Sequence, residues 1–283
     1  MPHYLIAESE LPEEREKRRA RAGKSSGETY GATIRQMRPD ADITLIAPAD
    51  EDAPVLSSEQ LARYDAVLLT GSPMHVYDDA PPVRRQLAFM RTVFASGTPS
   101  FGSCAGLQVA TAAAGGQVRR MPRRLEAGIV RRISATQAGQ QHPLLAGRPA
   151  CWDAIGLHGD EVEQLPPGAT LLAGNATSRV QAAEIRYDRG VFWGVQYHPE
   201  LSLGEIATAL RSQAGDLIEE GLAENTQDVE GVSDLIQALH RHPDRHSLWW
   251  RLGIDGEVAE ERRRRTEITN FLDHAPKLRA KSA

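Results

Sequence analysis

A cysteine, a histidine and a glutamate are set in this chain where each could take part in acyl transfer. Cys104 stands in Gly102-Ser103-Cys104-Ala105-Gly106-Leu107-Gln108. A strand-like run, Thr98-Pro99-Ser100-Phe101, precedes it, and the alanine-rich residues 107–114 read as the start of a helix. Small flanking residues let the backbone turn sharply around such a nucleophile and lift its side chain above the sheet. The helix that follows points its N-terminal amides toward the sulfur and favours thiolate.

A base lies well downstream. Val191-Phe192-Trp193-Gly194-Val195-Gln196-Tyr197 is an apolar strand ending in His198-Pro199-Glu200. His198 can take the thiol proton, and Glu200 can hold the imidazole in the required tautomer. Pro199 fixes the backbone between them. Taken singly, a cysteine in an alanine-rich segment is ordinarily buried filler, and a His-Pro pair is ordinarily a turn. Both at strand ends among small residues argue for the joint, catalytic reading.

The elements that would hold these residues alternate. Residues 4–7, 43–47 and 66–70 read as buried strands, residues 82–95 as an amphipathic helix entered through a proline pair. The pattern is less clear from 118 to 133, where Gly128-Ile129-Val130 is placed in a strand. Residues 152–157, 170–173, 180–186 and 191–197 read as further strands. The fold class this implies is α/β, an open, mostly parallel sheet with helices on both faces. In such sheets ligands bind beyond the carboxyl ends of the strands, where Gly71, Cys104 and His198 would all lie.

These residues resemble the class I (triad) glutamine amidotransferases. The Gly102–Gln108 stretch is similar to their nucleophile motif, and Gly194-Val195-Gln196-Tyr197-His198-Pro199-Glu200 to their His-Pro-Glu motif. Leu69-Thr70-Gly71-Ser72-Pro73 resembles the glycine loop after the third strand. Leu157-His158-Gly159-Asp160-Glu161-Val162 resembles a segment of the amidotransferase part of GMP synthase and its stand-alone relatives. The likeness runs through roughly residues 1–205 and implies a flavodoxin-like fold. It also implies a Cys104–His198–Glu200 triad, oxyanion donors from the backbone of Gly71 or Ser72 and of Ala105, and substrate contacts from Gln108, Gly106 and His158. His158 and Asp160 read equally as a turn closed by Gly159. The expected reaction is hydrolysis of glutamine, or of another γ-glutamyl amide or peptide, through a Cys104 thioester.

At 283 residues and 41% hydrophobic, the chain can bury a full core and carry an appendage. The expected division is a main domain over 1–222 and a helical extension over 223–283. A formal net charge of −5 gives no bulk signal for nucleic acid. Two cysteines give neither a disulfide framework nor a metal cluster. His240, His242 and His246 lack a cysteine or carboxylate to complete a metal-ligand spacing, and no metal or other cofactor is expected. No signal-peptide pattern or membrane-length apolar stretch is present, so a cytoplasmic location is expected.

Three features bear on substrate and partners. Residues 10–24 form an insertion carrying six basic residues among four glutamates, read as a solvated, partly helical loop or as a basic lid engaging an anionic substrate or partner. The small Ala105 stands where many family members carry a larger residue, which leaves room for a substrate bigger than glutamine or simply suits helix packing. After a helix over 204–221, the tail holds a helical pattern at 229–239, an aromatic run at 247–253 and a charged helix over 257–272. It is expected to pack on the main domain through Trp249 and Trp250, or to form a homodimer contact. Nothing resembles a phosphate-binding loop or an ATP pyrophosphatase domain. Two enzyme readings stand: a stand-alone γ-glutamyl hydrolase, favoured by the self-contained tail, and a glutaminase subunit passing ammonia to a separate synthetase. A third, a catalytically silent binding or regulatory module, is disfavoured by the intact Cys104, His198 and Glu200.

Overall fold

The computed structural model describes residues 1–122 and 125–282. Arg123 and Arg124, within the unclear stretch 118–133, lie outside the described residues. The strands are β1 (His3–Ala7), β2 (Asp42–Ile46), β3 (Ala66–Leu69), β4 (Ser100–Ser103), β5 (Gln117–Arg120), β6 (Glu126–Ala135), β7 (Cys151–His158), β8 (Asp160–Gln164), β9 (Ala169–Gly174), β10 (Ala182–Tyr187) and β11 (Gly190–Val195).

Nine of them form one sheet in the order β2-β1-β3-β4-β11-β10-β9-β6-β7. The first five in that order run parallel, and β10, β9, β6 and β7 continue it antiparallel. The chain is thus an α/β protein with a large, mostly parallel sheet flanked by helices. The parallel strands β3, β4 and β11 are buried along their whole length, as strands covered on both faces must be. β5 and β8, which pattern alone does not reveal, pair in a small antiparallel sheet of their own.

Register brings the site together. Ala7 pairs with Leu69, Leu69 with Gly102, and Ser103 with Val195. The residues that follow β1, β3, β4 and β11 therefore emerge side by side at one sheet edge. Glu8 to Glu10, Gly71, Cys104 and His198 all belong to that edge.

Helices cover both faces. Pro81–Ser96 opens with its proline pair and closes on Gly97 in the left-handed conformation, with Val83, Met90, Val93 and Phe94 turned inward. Ser26–Met37 is started by a capping box in which Ser25 and Glu28 satisfy each other's backbone amides. The insertion contains a helix, Pro12–Ala22, ended by Gly23. The single helix expected over 204–221 is two, Leu203–Ser212 and Ala214–Glu219.

The tail contributes to the body of the protein. Thr226–Arg241 and His246–Leu252 join a core with Leu203–Ser212, through residues such as Ile236, Leu239 and Leu248. Ile268, Phe271, Leu272 and Ala275 pack with Phe101, Trp152 and Trp193 of the central sheet. The charged helix expected over 257–272 is broken into Gly256–Ala259, Glu261–Arg264 and Thr266–Ser282. The expectation that both tryptophans anchor the tail is corrected. Trp249 packs against the core, whereas Trp250 is 84% exposed. Leu248 and Leu252 occupy the buried face of that helix at i and i+4, which leaves residue 250 on the opposite side.

Candidate active site

Cys104 sits at the junction of β4 and the helix Ala105–Ala113 with φ 51° and ψ −112°, a conformation costly for any side-chain-bearing residue. Its amide donates to Val195 O at 2.9 Å, locking the turn to the neighbouring strand. The flanking glycines are sterically required. A Cβ on Gly102 would come within 3.0 Å of Gly106, and one on Gly106 within 2.8 Å of Leu69 O. Gly106 is thus placed in packing under the turn and does not face the cleft. Ala105 opens the helix, and its amide belongs to the first turn, where amides lack intrahelical partners.

His198 is held from two sides. Its amide donates to Ile155 O at 2.9 Å, and its Nδ1 donates to Glu200 Oε1 at 2.7 Å. With Nδ1 so engaged, Nε2 is the nitrogen left to interact with Cys104. Burial opposes the imidazolium, but Glu200 and Cys104 outweigh it, and the His198 pKa is pushed up to about 10. Thr33 Oγ1 donates to Glu200 O at 3.1 Å, tying this segment to the helix Ser26–Met37. Gly71 lies on the other side of the imidazole, where a Cβ would be 2.8 Å from Cε1. Among the described residues none accepts a hydrogen bond from the Gly71 or Ser72 amide.

The cleft has two lobes that meet at Cys104, Ser72 and Pro73. The first, about 210 Å³, is bounded by His198, Glu200, Glu10, Leu201 and the helix Pro12–Ala22. The second, about 630 Å³, is bounded by Gln108, His158, Asp160, His75 and Tyr77. Lys17, Arg18 and Arg21 border the first lobe, so the basic insertion does reach the site. Glu10, Glu14 and Glu205 are interleaved with them, and the wall carries both signs of charge.

Gln108 is buried beneath the second lobe, with its Nε2 donating to Asp160 O at 3.1 Å and Gln196 Oε1 at 3.3 Å. His158 borders the same lobe, but both its ring nitrogens are engaged inside the protein. Nδ1 donates to Asp160 O at 2.9 Å, and Nε2 is 3.0 Å from Glu126 Oε2. Sequence reasoning missed His75 and Tyr77. His75 Nδ1 lies 2.6 Å from Asp160 Oδ2, and the Tyr77 hydroxyl donates to Asp160 Oδ1 at 3.1 Å. Desolvation and the Asp160 charge push the Tyr77 pKa up to about 12, so its hydroxyl stays a donor. The only signal for this cluster was the Gly71-Ser72-Pro73 loop that carries His75 and Tyr77, since Asp160 is remote in sequence.

The family model for glutamine amidotransferase class I matches residues 29–214, which span every element of this site from Gly71 to Glu200. The chain belongs to the class I glutamine amidotransferase family. It is 39% identical over 234 residues to a γ-glutamyl-L-1-hydroxyisopropylamide hydrolase of Pseudomonas sp, an alignment covering 80% of this chain and 77% of that protein. It is 32% identical over 242 residues to the GMP synthase of Thermomicrobium roseum, covering 82% of this chain and 41% of that protein. The chain thus spans about two fifths of the GMP synthase. Among solved structures, a glutamine amidotransferase from Thermotoga maritima superposes with a TM-score of 0.66 at 15% identity, covering 97% of this chain and 98% of that one. That likeness bears on the fold alone.

Proposed function

We propose that this class I glutamine amidotransferase family member is a stand-alone hydrolase of γ-glutamyl amides. The observation that carries this reading is the buried Cys104–His198–Glu200 relay at the junction of two lobes. The two lobes provide separate spaces for the glutamyl part and for a leaving amine larger than ammonia. The hydrolase from Pseudomonas sp supports it, being matched over most of its length. A glutaminase feeding a separate synthetase is the reading suggested by the GMP synthases, matched over a much smaller share.

In this reading the proton of Cys104 already rests on His198 Nε2, and the Cys104 sulfur attacks the γ-carbonyl carbon. The amides of Gly71 or Ser72 and of Ala105 receive the charge that develops on the carbonyl oxygen. The C–N bond breaks as His198 returns its proton to the leaving nitrogen, and a glutamyl thioester remains on Cys104. Water then gives a proton to His198 and its oxygen to the carbonyl carbon. The C–S bond breaks, glutamate departs, and the proton stays on His198, which restores the starting pair. Glu200 keeps the imidazole oriented in both halves. Gln108, Asp160 and Tyr77 line the space for the glutamyl end.

The test is to incubate the purified protein alone with glutamine and a panel of γ-glutamyl amides, following glutamate release beside Cys104→Ala. Rapid release from a substituted amide that is lost in the variant is expected. Slow release restricted to glutamine would point to a partner-activated glutaminase.

A further inference from the structure

A buried polar network runs from the second lobe away from the reacting atoms. It begins at Gln108, whose Nε2 gives its two hydrogens to Asp160 O at 3.1 Å and Gln196 Oε1 at 3.3 Å. What Gln108 has left for a ligand is Oε1, an acceptor. Asp160 O receives a second donor, His158 Nδ1 at 2.9 Å. The Asp160 carboxylate, held by His75 and Tyr77, borders the same lobe. The lobe thus offers acceptors, which suits the α-ammonium of a glutamyl group.

The far end of the network is Glu126, the first residue of β6 and the cross-strand partner of His158, the last of β7. Its Oε1 accepts from Asn175 Nδ2 at 2.7 Å, and its Oε2 accepts from Gln181 Nε2 at 2.6 Å. The Asn175 amide is fixed in that sense, because its Oδ1 already accepts from the Thr177 and Ser178 amides. His158 Nε2 lies 3.0 Å from Glu126 Oε2. Both ring nitrogens of His158 therefore face acceptors, a carbonyl and a carboxylate, and the geometry calls for a proton on each. Among the described residues, His158 is the one ion-pair partner of Glu126, and both are buried. Strand pairing alone does not call for such a pair, since apolar residues of similar size serve it as well or better.

We propose that Glu126 is a positioning residue for the glutamyl end of the substrate. It holds His158 as an imidazolium, whose charge-assisted hydrogen bond anchors the Asp160 carbonyl and thereby sets Gln108 Oε1 and the Asp160 carboxylate to receive the α-ammonium. Glu126 itself borders neither lobe, so it acts on substrate binding and not on the chemistry at Cys104. This inference rests on the γ-glutamyl reading above and adds how the glutamyl end is recognised.

The test uses two substrate pairs that differ only in the α-ammonium. One is γ-glutamyl isopropylamide against glutaric acid mono-isopropylamide, the other glutamine against glutaric acid monoamide. Wild type is expected to favour the glutamyl member in kcat/KM by about tenfold to a hundredfold, the range for hydrogen bonds to a charged group. Glu126→Gln keeps the shape and removes the charge. It should narrow the ratio to within about threefold, through KM with kcat nearly unchanged. Glu126→Asp keeps the charge with a shorter reach and should retain more of the ratio than Glu126→Gln. Alkylation of Cys104 by iodoacetamide should keep its wild-type rate in both variants, which separates lost recognition from a damaged fold or nucleophile. No preference in wild type, an unchanged ratio in Glu126→Gln, or a fall in kcat alone would overturn the inference. Should Glu126→Gln not fold, a reduced ratio in Glu126→Asp supports the inference and a wild-type ratio overturns it. Hydrolysis of glutamine but not of γ-glutamyl isopropylamide by wild type would overturn the stand-alone hydrolase reading, and the glutamine pair would still decide the role of Glu126.

Discussion

Gly71 runs so close to His198 that a Cβ on it would stand 2.8 Å from the imidazole Cε1 and 3.6 Å from Cys104 Cβ. The loop after β3 thus acts as one wall of the slot that holds the imidazole. Gly71→Ala should displace the ring and lower kcat by about a hundredfold, the scale expected when a reacting group is misplaced by about 1 Å. Steady-state hydrolysis checks this, with circular dichroism showing that the fold persists. A variant within threefold of wild type would mean that the imidazole position is not set by this wall.

The charge on His198 gives a pH signature. Its folded pKa of about 10 lies above the ordinary value of 6.5, because Glu200 and Cys104 outweigh the effect of burial. A raised pKa contributes stability that is fully present below the unfolded value and is lost as pH rises through about 10. Glu200→Gln should lower the His198 pKa and weaken this dependence. NMR titration of the His198 ring is expected to show a protonated imidazole at pH 8 in wild type and an earlier titration in the variant. A wild-type ring titrating near 6.5 would contradict the buried pairing.

A second buried pair ties the tail to the site. Arg148 Nε donates to Glu267 Oε1 at 2.7 Å, and the Tyr197 hydroxyl donates to the same oxygen at 2.8 Å. Burial opposes the Arg148 charge, yet Glu267 holds its pKa above the ordinary range. Glu267→Ala leaves Arg148 with Glu257, at 2.6 Å, as its remaining carboxylate and the buried Tyr197 hydroxyl without its acceptor, and should cost about 1–3 kcal/mol in urea unfolding. It should also lower activity, because Tyr197 immediately precedes His198. A loss below about 1 kcal/mol would show that Glu257 alone holds the guanidinium and that Tyr197 finds another acceptor.

Tyr77 offers a milder test of the second lobe. Tyr77→Phe removes one donor to Asp160 and leaves the His75 contact in place. An increase in KM of about threefold to tenfold, with little change in kcat, is expected from one hydrogen bond. A fall in kcat at constant KM would instead place Tyr77 near the reacting atoms.

The nucleophile turn and the His-Pro-Glu strand end were legible because each is local. Small residues around Cys104 and an apolar strand before His198 carry their own structural meaning. The parallel strands were legible for the same reason, as short apolar runs. What was not legible depends on long-range convergence. His75 and Tyr77 meet Asp160 only because β3 and the β5–β8 ribbon are brought together by the fold. Arg18 faces Glu10 and Glu205 across three separate elements, a pairing that a mixed-charge segment does not reveal. The break of the tail helix around Glu260 and Arg265 reflects tertiary demands, since Arg264 turns inward to donate to Val258 O and Ala259 O. Helical periodicity alone runs straight through it.

The central claim is covalent catalysis at Cys104, and the chain offers an internal control in Cys151, a second free cysteine that is exposed. The most direct measurement is to mix the protein with a γ-glutamyl amide, quench in acid within the turnover time, and map the glutamyl adduct by peptide mass spectrometry. A thioester on the peptide carrying Cys104, absent in Cys104→Ala and absent from the Cys151 peptide, is the predicted result. Turnover that persists in Cys104→Ala, or an adduct confined to Cys151, would contradict it.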